Sequence, residues 1–268
     1  MPTSTRRPIA LVTGASSGIG EELARCFACA SHDLVLVARS ADKLQALAGE
    51  LEEQHQIRAL VLPTDLAEPD AVRPLVTILK RRRRLPDVLV NCAGVLQHEQ
   101  FAQMKPADHQ AIIDLNISAL TGMLSHFLPL MLKRGSGRVL NVASIAAFQP
   151  IPTLATYAAS KAYVLSLTEA LSQELKGSGV TVTALCPGIT ATSMLTAATQ
   201  ADQRLSRLPG FLIGDVDDVA RQGFDACMRG EVICVPGVIN WTAMLASRST
   251  PKWLLRRLGG MLSRTGAL

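Results

Sequence analysis

The chain has 268 residues, 48% of them apolar, with no low-complexity tract, a composition that suits one large domain with an ample core. A net charge of +5 is modest and does not by itself call for nucleic acid. The short polar start, Met1 to Pro8, has no signal-peptide core, and no apolar run reads as long enough to cross a bilayer, so a cytoplasmic protein is expected. The six cysteines show no repeated metal-type pairing and read as core thiols; the five histidines are scattered, and no metal is expected.

In chain order, Ile9 to Val12 reads as a short buried strand. It runs into Thr13-Gly14-Ala15-Ser16-Ser17-Gly18-Ile19-Gly20 and then an apolar helical pattern through Leu23, Ala24 and Phe27. Strand, glycine turn and helix are the context of a dinucleotide site: glycines let the backbone approach a pyrophosphate, which rests on free amides at the helix start. The second strand, Asp33 to Ala38, is followed by Arg39 rather than an acidic residue. A guanidinium matches the 2′-phosphate of NADP, whereas a carboxylate would match the ribose of NAD. A third strand, Ile57 to Leu62, leads to Asp65-Leu66, placed to touch the adenine.

The basic run Lys80 to Arg84 falls where a helix should end and reads as a solvated face complementing the helix dipole, not as a nucleic-acid patch. Val88-Leu89-Val90 is a fourth strand delivering Asn91-Cys92-Ala93-Gly94. A long helical stretch follows, carrying Asn116 and the apolar Leu120, Leu124, Phe127, Leu128 and Met131, and is stopped at Gly135 to Gly137. Val139 to Val142 is a fifth strand that presents Ser144 at its carboxyl end, the edge where open α/β sheets bind ligands.

Tyr157-Ala158-Ala159-Ser160-Lys161 opens another helical pattern. Residues i and i+4 share a helix face, so the phenol and the ammonium can act together. A lysine charge beside the ring is expected to lower the phenol from its ordinary value of about 10 by roughly 3 units, giving a group that exchanges a proton with an alcohol oxygen near neutrality. Val180 to Leu185 is strand six, Asp215 to Met228 a last helix and Val232 to Val235 strand seven.

These motifs, in this order over about residues 8 to 237, resemble the classical short-chain dehydrogenase/reductase family. The resemblance implies a single doubly wound Rossmann-like domain with a parallel sheet ordered 3-2-1-4-5-6-7, residues 238 to 268 being a C-terminal extension of that domain. It implies a catalytic tetrad of Asn116, Ser144, Tyr157 and Lys161. It further implies that NADP(H) is held by Gly14, Ser16, Ser17, Gly18, Ile19 and Gly20, by Arg39, Asp65 and Leu66, and by Asn91, Ala93 and Gly94. Tyr157, Lys161 and the segment Pro187, Gly188, Ile189 and Thr192 complete that set. Cys92 stands where many members carry a second asparagine. In relatives the stretch matching Ser193 to Leu212 is a substrate lid.

The expected activity is hydride transfer between nicotinamide and a carbonyl or secondary alcohol on an apolar substrate, with Tyr157 as general acid/base. The alternative is a cofactor-binding regulatory or scaffolding protein, which would be expected to lose part of the tetrad or the glycine loop. Helices apolar on more than one face suggest a homo-oligomer, dimer or tetramer. From Thr250-Pro251 onward, Leu254, Leu255, Leu258, Met261 and Leu262 form one helical stripe, with Arg256, Arg257 and Arg264 off it. Such a helix can pack on its own subunit or touch an anionic membrane surface.

Overall fold

Neighbouring residues of the central strands point alternately into two apolar layers. In β1 (Ile9–Thr13), Ile9 and Leu11 enter one layer and Ala10 and Val12 the other. This is the period-2 geometry of a strand buried on both faces, which explains why the strands read as continuous apolar runs. A computed structural model describes residues 6–191, 213–237 and 240–242.

After β1 come α1 (Gly18–Cys29), β2 (Asp33–Ala38), α2 (Ala41–His55), β3 (Ala59–Pro63), α3 (Val72–Arg81) and β4 (Val88–Asn91). A long helical stretch follows, made of α4 (Pro106–Ile113), a π-helical segment (Asp114–Ala119) and α5 (Leu120–Arg134). Then come β5 (Gly137–Val142), a 3-10 turn (Ile145–Phe148), α6 (Ala155–Glu174), β6 (Val180–Leu185), α7 (Val216–Arg229) and β7 (Ile233–Cys234). The strands form one parallel sheet in the order β3-β2-β1-β4-β5-β6-β7. This is the expected doubly wound Rossmann-like sheet.

One layer of the core joins α3, α5 and α6 to the sheet through Leu75, Leu79, Met123, Phe127, Met131 and Val164. The other joins α1, α2 and α7 through Leu23, Phe27, Leu44, Leu51, Val219 and Cys227. Helix ends follow local chemistry. Helix α5 stops at Gly135, which adopts a left-handed φ of 69°, and α7 starts at Asp215, whose Oδ1 accepts the Asp217 amide at 2.8 Å. The basic run does close α3, with Lys80 and Arg81 in its last turn, and Arg84 bonds Asp33 at 2.6 Å.

One sequence expectation needs correction. The stretch Pro106–Arg134, 29 residues, is by length and composition apolar enough to cross a membrane. Polar residues through Asp108 to Asn116 hide this in the linear pattern. Packing accounts for it: Leu120, Met123, Leu124, Phe127, Leu128 and Met131 are buried in the layer shared with β1, β4 and β5. The expected lid and the expected tail helix lie outside the described residues.

Candidate active site

The carboxyl ends of the strands open on one cleft of about 510 Å³. Sheet order sets its layout. The ends of β2 and β3 bring Arg39 and Asp65 to one side of the glycine turn, and β4, β5 and β6 bring Gly94, Ser144 and Gly188 to the other.

The turn after β1 is built for close backbone approach. Gly14 and Gly18 have φ of 68° and 57°, the left-handed region that favours glycine. A Cβ on Gly14 would lie 2.9 Å from the Ala93 backbone, and one on Gly20 would lie 2.3 Å from the Gly14 carbonyl oxygen. Thr13 locks this turn to the end of β4: its hydroxyl donates to Val90 O at 3.2 Å and accepts from the amides of Cys92 and Ala93 at 3.0 and 3.1 Å. Ser17 is the N-cap of α1 but makes no side-chain capping bond. The first amides of α1 therefore face the cleft as an anion cradle.

Ser16, Ile19, Asp65 and Leu66 line the same cleft. Asp65 Oδ1 accepts the Ala67 amide at 3.0 Å, which shapes the turn below β3. Arg39 is exposed at the rim and makes no hydrogen bond or ion pair among the described residues. A free guanidinium beside a helix-end cradle fits a dinucleotide with an extra phosphate.

On the other side, α6 presents Tyr157 and Lys161 one turn apart, 8% and 6% exposed. Ser144 lines the cleft beside Tyr157, near enough for its hydroxyl to favour the ionised phenol. Ser144 is itself oriented by the Ala146 amide, which donates to its Oγ at 3.1 Å. Lys161 Nζ donates to Val142 O at 2.9 Å and lies 5.7 Å from the centroid of the Tyr157 ring. Burial pushes the phenol above its ordinary value, with Ser144 acting the other way, and pushes the ammonium down to about 8. The expected lowering of the phenol by Lys161 is not seen in the protein alone: burial is the largest influence on the phenol, and Nζ gives its hydrogen bond to Val142 O.

Asn116 is 1% exposed and lies behind the cleft, in the π-helical segment. Its Oδ1 accepts the Val95 amide at 2.9 Å, while its Nδ2 donates to Val95 O and to Ser160 Oγ, each at 3.0 Å. Ser160 in turn donates to Tyr157 O at 2.7 Å. Asn116 thus ties the loop after β4 to the helix that carries Tyr157. The wider π turn is a common device at functional sites.

Most expected residues meet in this cleft: Gly14 to Gly20, Arg39, Asp65, Leu66, Ala93, Gly94, Ser144, Tyr157, Lys161 and Pro187 to Ile189. Pro187 and Ile189 are braced by neighbours, Ile145 N donating to Pro187 O at 2.9 Å and Gly214 N to Ile189 O at 2.8 Å. Thr192 lies outside the described residues. Asn91 is a correction: its side chain is 4% exposed and does not line the cleft. Its Nδ2 donates to Asn141 Oδ1, and Asn141 Nδ2 to Thr168 Oγ1, both at 2.9 Å, so it joins β4, β5 and α6 inside the core.

Three groups were missed in the sequence. Thr13 and Ser160 act through hydroxyl geometry that no spacing rule reveals. The wall beyond Tyr157, with Leu96, His98, Gln149, Ile151 and Thr153, comes from loops that carry no periodic signal. Cys92 also lines the cleft, and burial pushes its thiol up to about 12, so it is an unreactive wall.

A phosphate cradle and a Ser–Tyr–Lys set, its Tyr157 and Lys161 buried, on one edge of this parallel sheet are the arrangement of a short-chain dehydrogenase. A family model described as short chain dehydrogenase matches residues 8–203, and the chain belongs to that family of oxidoreductases. It is 36% identical over 220 residues to a 3-oxoacyl-[acyl-carrier-protein] reductase of Synechocystis sp., covering 81% of this chain and 88% of that protein. Among solved structures, a short-chain dehydrogenase from Sphingobium yanoikuyae in complex with NADPH has a TM-score of 0.81 and 33% identity, over 90% of this chain and 93% of that one. L-sorbose reductase from Gluconobacter frateurii, complexed with NADPH and L-sorbose, has a TM-score of 0.76 and 25% identity, over 89% and 99%.

Proposed function

We propose that this protein is an NADP(H)-dependent oxidoreductase that reduces the carbonyl of an apolar small molecule, with Tyr157 as the proton donor. The observation that carries this reading is the buried Tyr157 phenol, with Ser144 and Lys161 beside it, in the same cleft as Arg39, which has no partner among the described residues. A phenol that keeps its proton is an acid, and carbonyl reduction needs one. The complexes of two similar proteins with NADPH support the cofactor choice.

Bound NADPH supplies the hydride. The chain's own residues do the rest. Amides at the start of α1 and the backbone of Gly14 would hold the pyrophosphate, Arg39 the 2′-phosphate and Asp65 the adenine. Ser144 donates a hydrogen bond to the substrate oxygen and stabilises negative charge developing there. Tyr157 protonates that oxygen. Lys161 would hold the nicotinamide ribose, and its charge beside the ring would favour the tyrosinate left behind. Asn116 holds the loop after β4 against α6 and keeps this geometry. The apolar wall of Leu96, Ile145 and Ile151 favours an apolar substrate body. A screen of NADPH oxidation over a panel of carbonyl compounds, from short ketones to long 3-ketoacyl and steroid compounds, tests the reading; no turnover of any of them would sink it.

Two further features are proposed. The protein works in the cytoplasm. It does so as a homo-oligomer, because Ile113, Leu132 and Tyr163 leave apolar surface exposed on α4, α5 and α6.

A further inference from the structure

The wall beyond Tyr157 is apolar at Leu96 and Ile151 and polar at Gln149 and at the pair His98 and Thr153. Leu96 and Ile151 pack against the cluster that contains Tyr157. Two residues further along each segment stand His98 and Thr153, both lining the cleft. His98 Nε2 and Thr153 Oγ1 are 2.9 Å apart, and the Glu99 amide donates to Thr153 O at 2.9 Å. Thr153 holds a φ of 67°, rare for a β-branched residue, so its surroundings impose the conformation.

The hydrogens of this pair decide what it can bind. The Thr153 hydroxyl has a single hydrogen and faces both His98 Nε2 and the Pro152 carbonyl. With that hydrogen directed to Pro152 O, His98 Nε2 donates in the shared bond and Nδ1 is left as an acceptor, the arrangement on which the proposal below is built. Nδ1 has no partner among the described residues. An acceptor set in an apolar wall selects for a donor on the ligand, because a ligand without one would bury it unpaired.

We propose that His98, held by Thr153, is a specificity-determining residue that accepts a hydrogen bond from a substrate hydroxyl remote from the reacting carbonyl. The substrate class is an apolar hydroxyketone. This inference rests on reading the cleft as a carbonyl-reductase site.

The test compares kcat/KM for NADPH-dependent reduction of benzylacetone with that of its ortho-, meta- and para-hydroxylated forms. At least one hydroxylated ketone should lead the parent by about 10-fold in the wild type. That lead should fall to about 1 in His98→Leu and persist in part in His98→Gln, whose amide oxygen can also accept. Equal turnover of all four ketones by the wild type overturns the proposal. A readout independent of turnover is the ¹⁵N spectrum of His98. It should show the Nε2–H tautomer, with an Nδ1 resonance that moves on adding the preferred hydroxyketone but not the parent. An Nδ1–H tautomer, or an unmoved resonance, also overturns it. Absent turnover with the resonance shift retained would count against the reductase reading alone.

Discussion

Lys161 lies beneath Tyr157, its Nζ 5.7 Å from the ring centroid, yet it gives its hydrogen bond to the carbonyl of Val142 at 2.9 Å. The two side chains are one helical turn apart on α6, so local geometry brings them together, and β5 decides where the ammonium points. Without a bond to the phenol oxygen, the lysine charge does not offset the burial of Tyr157. The phenol remains a neutral acid and the lysine an easily deprotonated cation.

The first prediction concerns that acid. Tyr157→Phe removes the hydroxyl and keeps the ring, so turnover should be abolished while NADPH affinity, read by cofactor fluorescence, stays nearly intact. Residual kcat within a few-fold of wild type would remove Tyr157 from the mechanism.

Arg39 carries the cofactor choice. Arg39→Ala should weaken NADPH binding by about 10- to 100-fold, the worth of a charge-assisted contact of about 1.5–3 kcal/mol, and barely change NADH. Wild-type protein that binds both cofactors equally well would contradict the assignment.

Burial of Lys161 has a stability consequence with a defined sign. Its ammonium is lowered from 10.5 to about 8, so below pH 8 the folded chain bears the whole cost of burying the charge, about 3 kcal/mol. Between pH 8 and 10.5 the folded chain holds fewer protons than the unfolded chain, and this group's contribution to stability rises with pH. Lys161→Met should therefore be more stable than wild type at pH 7, by about 1–2 kcal/mol after losing the bond to Val142. The gap should close toward pH 10. Urea unfolding at several pH values checks it, and a gap independent of pH would refute the assignment to Lys161.

Two glycines should respond in opposite directions. A methyl at Gly20 would meet the Gly14 carbonyl at 2.3 Å, so Gly20→Ala should destabilise by about 1–3 kcal/mol and weaken cofactor binding. At Gly49, inside α2, nothing lies within 4 Å of an added Cβ, and Gly49→Ala should stabilise by about 0.5–1 kcal/mol. Unfolding midpoints of the two variants that move together would show that the turn is not as tightly packed as described.

Light scattering checks assembly: a dimer or tetramer is expected at micromolar concentration, and a monomer would refute the proposal drawn from Ile113, Leu132 and Tyr163.

The sequence by itself determined what depends on near neighbours along the chain. Continuous apolar runs marked the strands because parallel strands are buried on both faces. The Gly14–Gly20 turn was legible because it needs residues without side chains, and Tyr157 and Lys161 because i and i+4 share a helix face. Tertiary structure alone decided what depends on burial and on partners distant in the chain. Asn91 turned inward because Asn141, fifty positions away, offers its amide there. Asn116 became a clamp because Val95 and Ser160 meet it from two elements. The phenol is pushed up rather than down because burial strips water from its charged form, a penalty that no spacing in the sequence reveals. His98 and Thr153, 55 residues apart, acquired a shared hydrogen bond only when two loops closed over the same cleft.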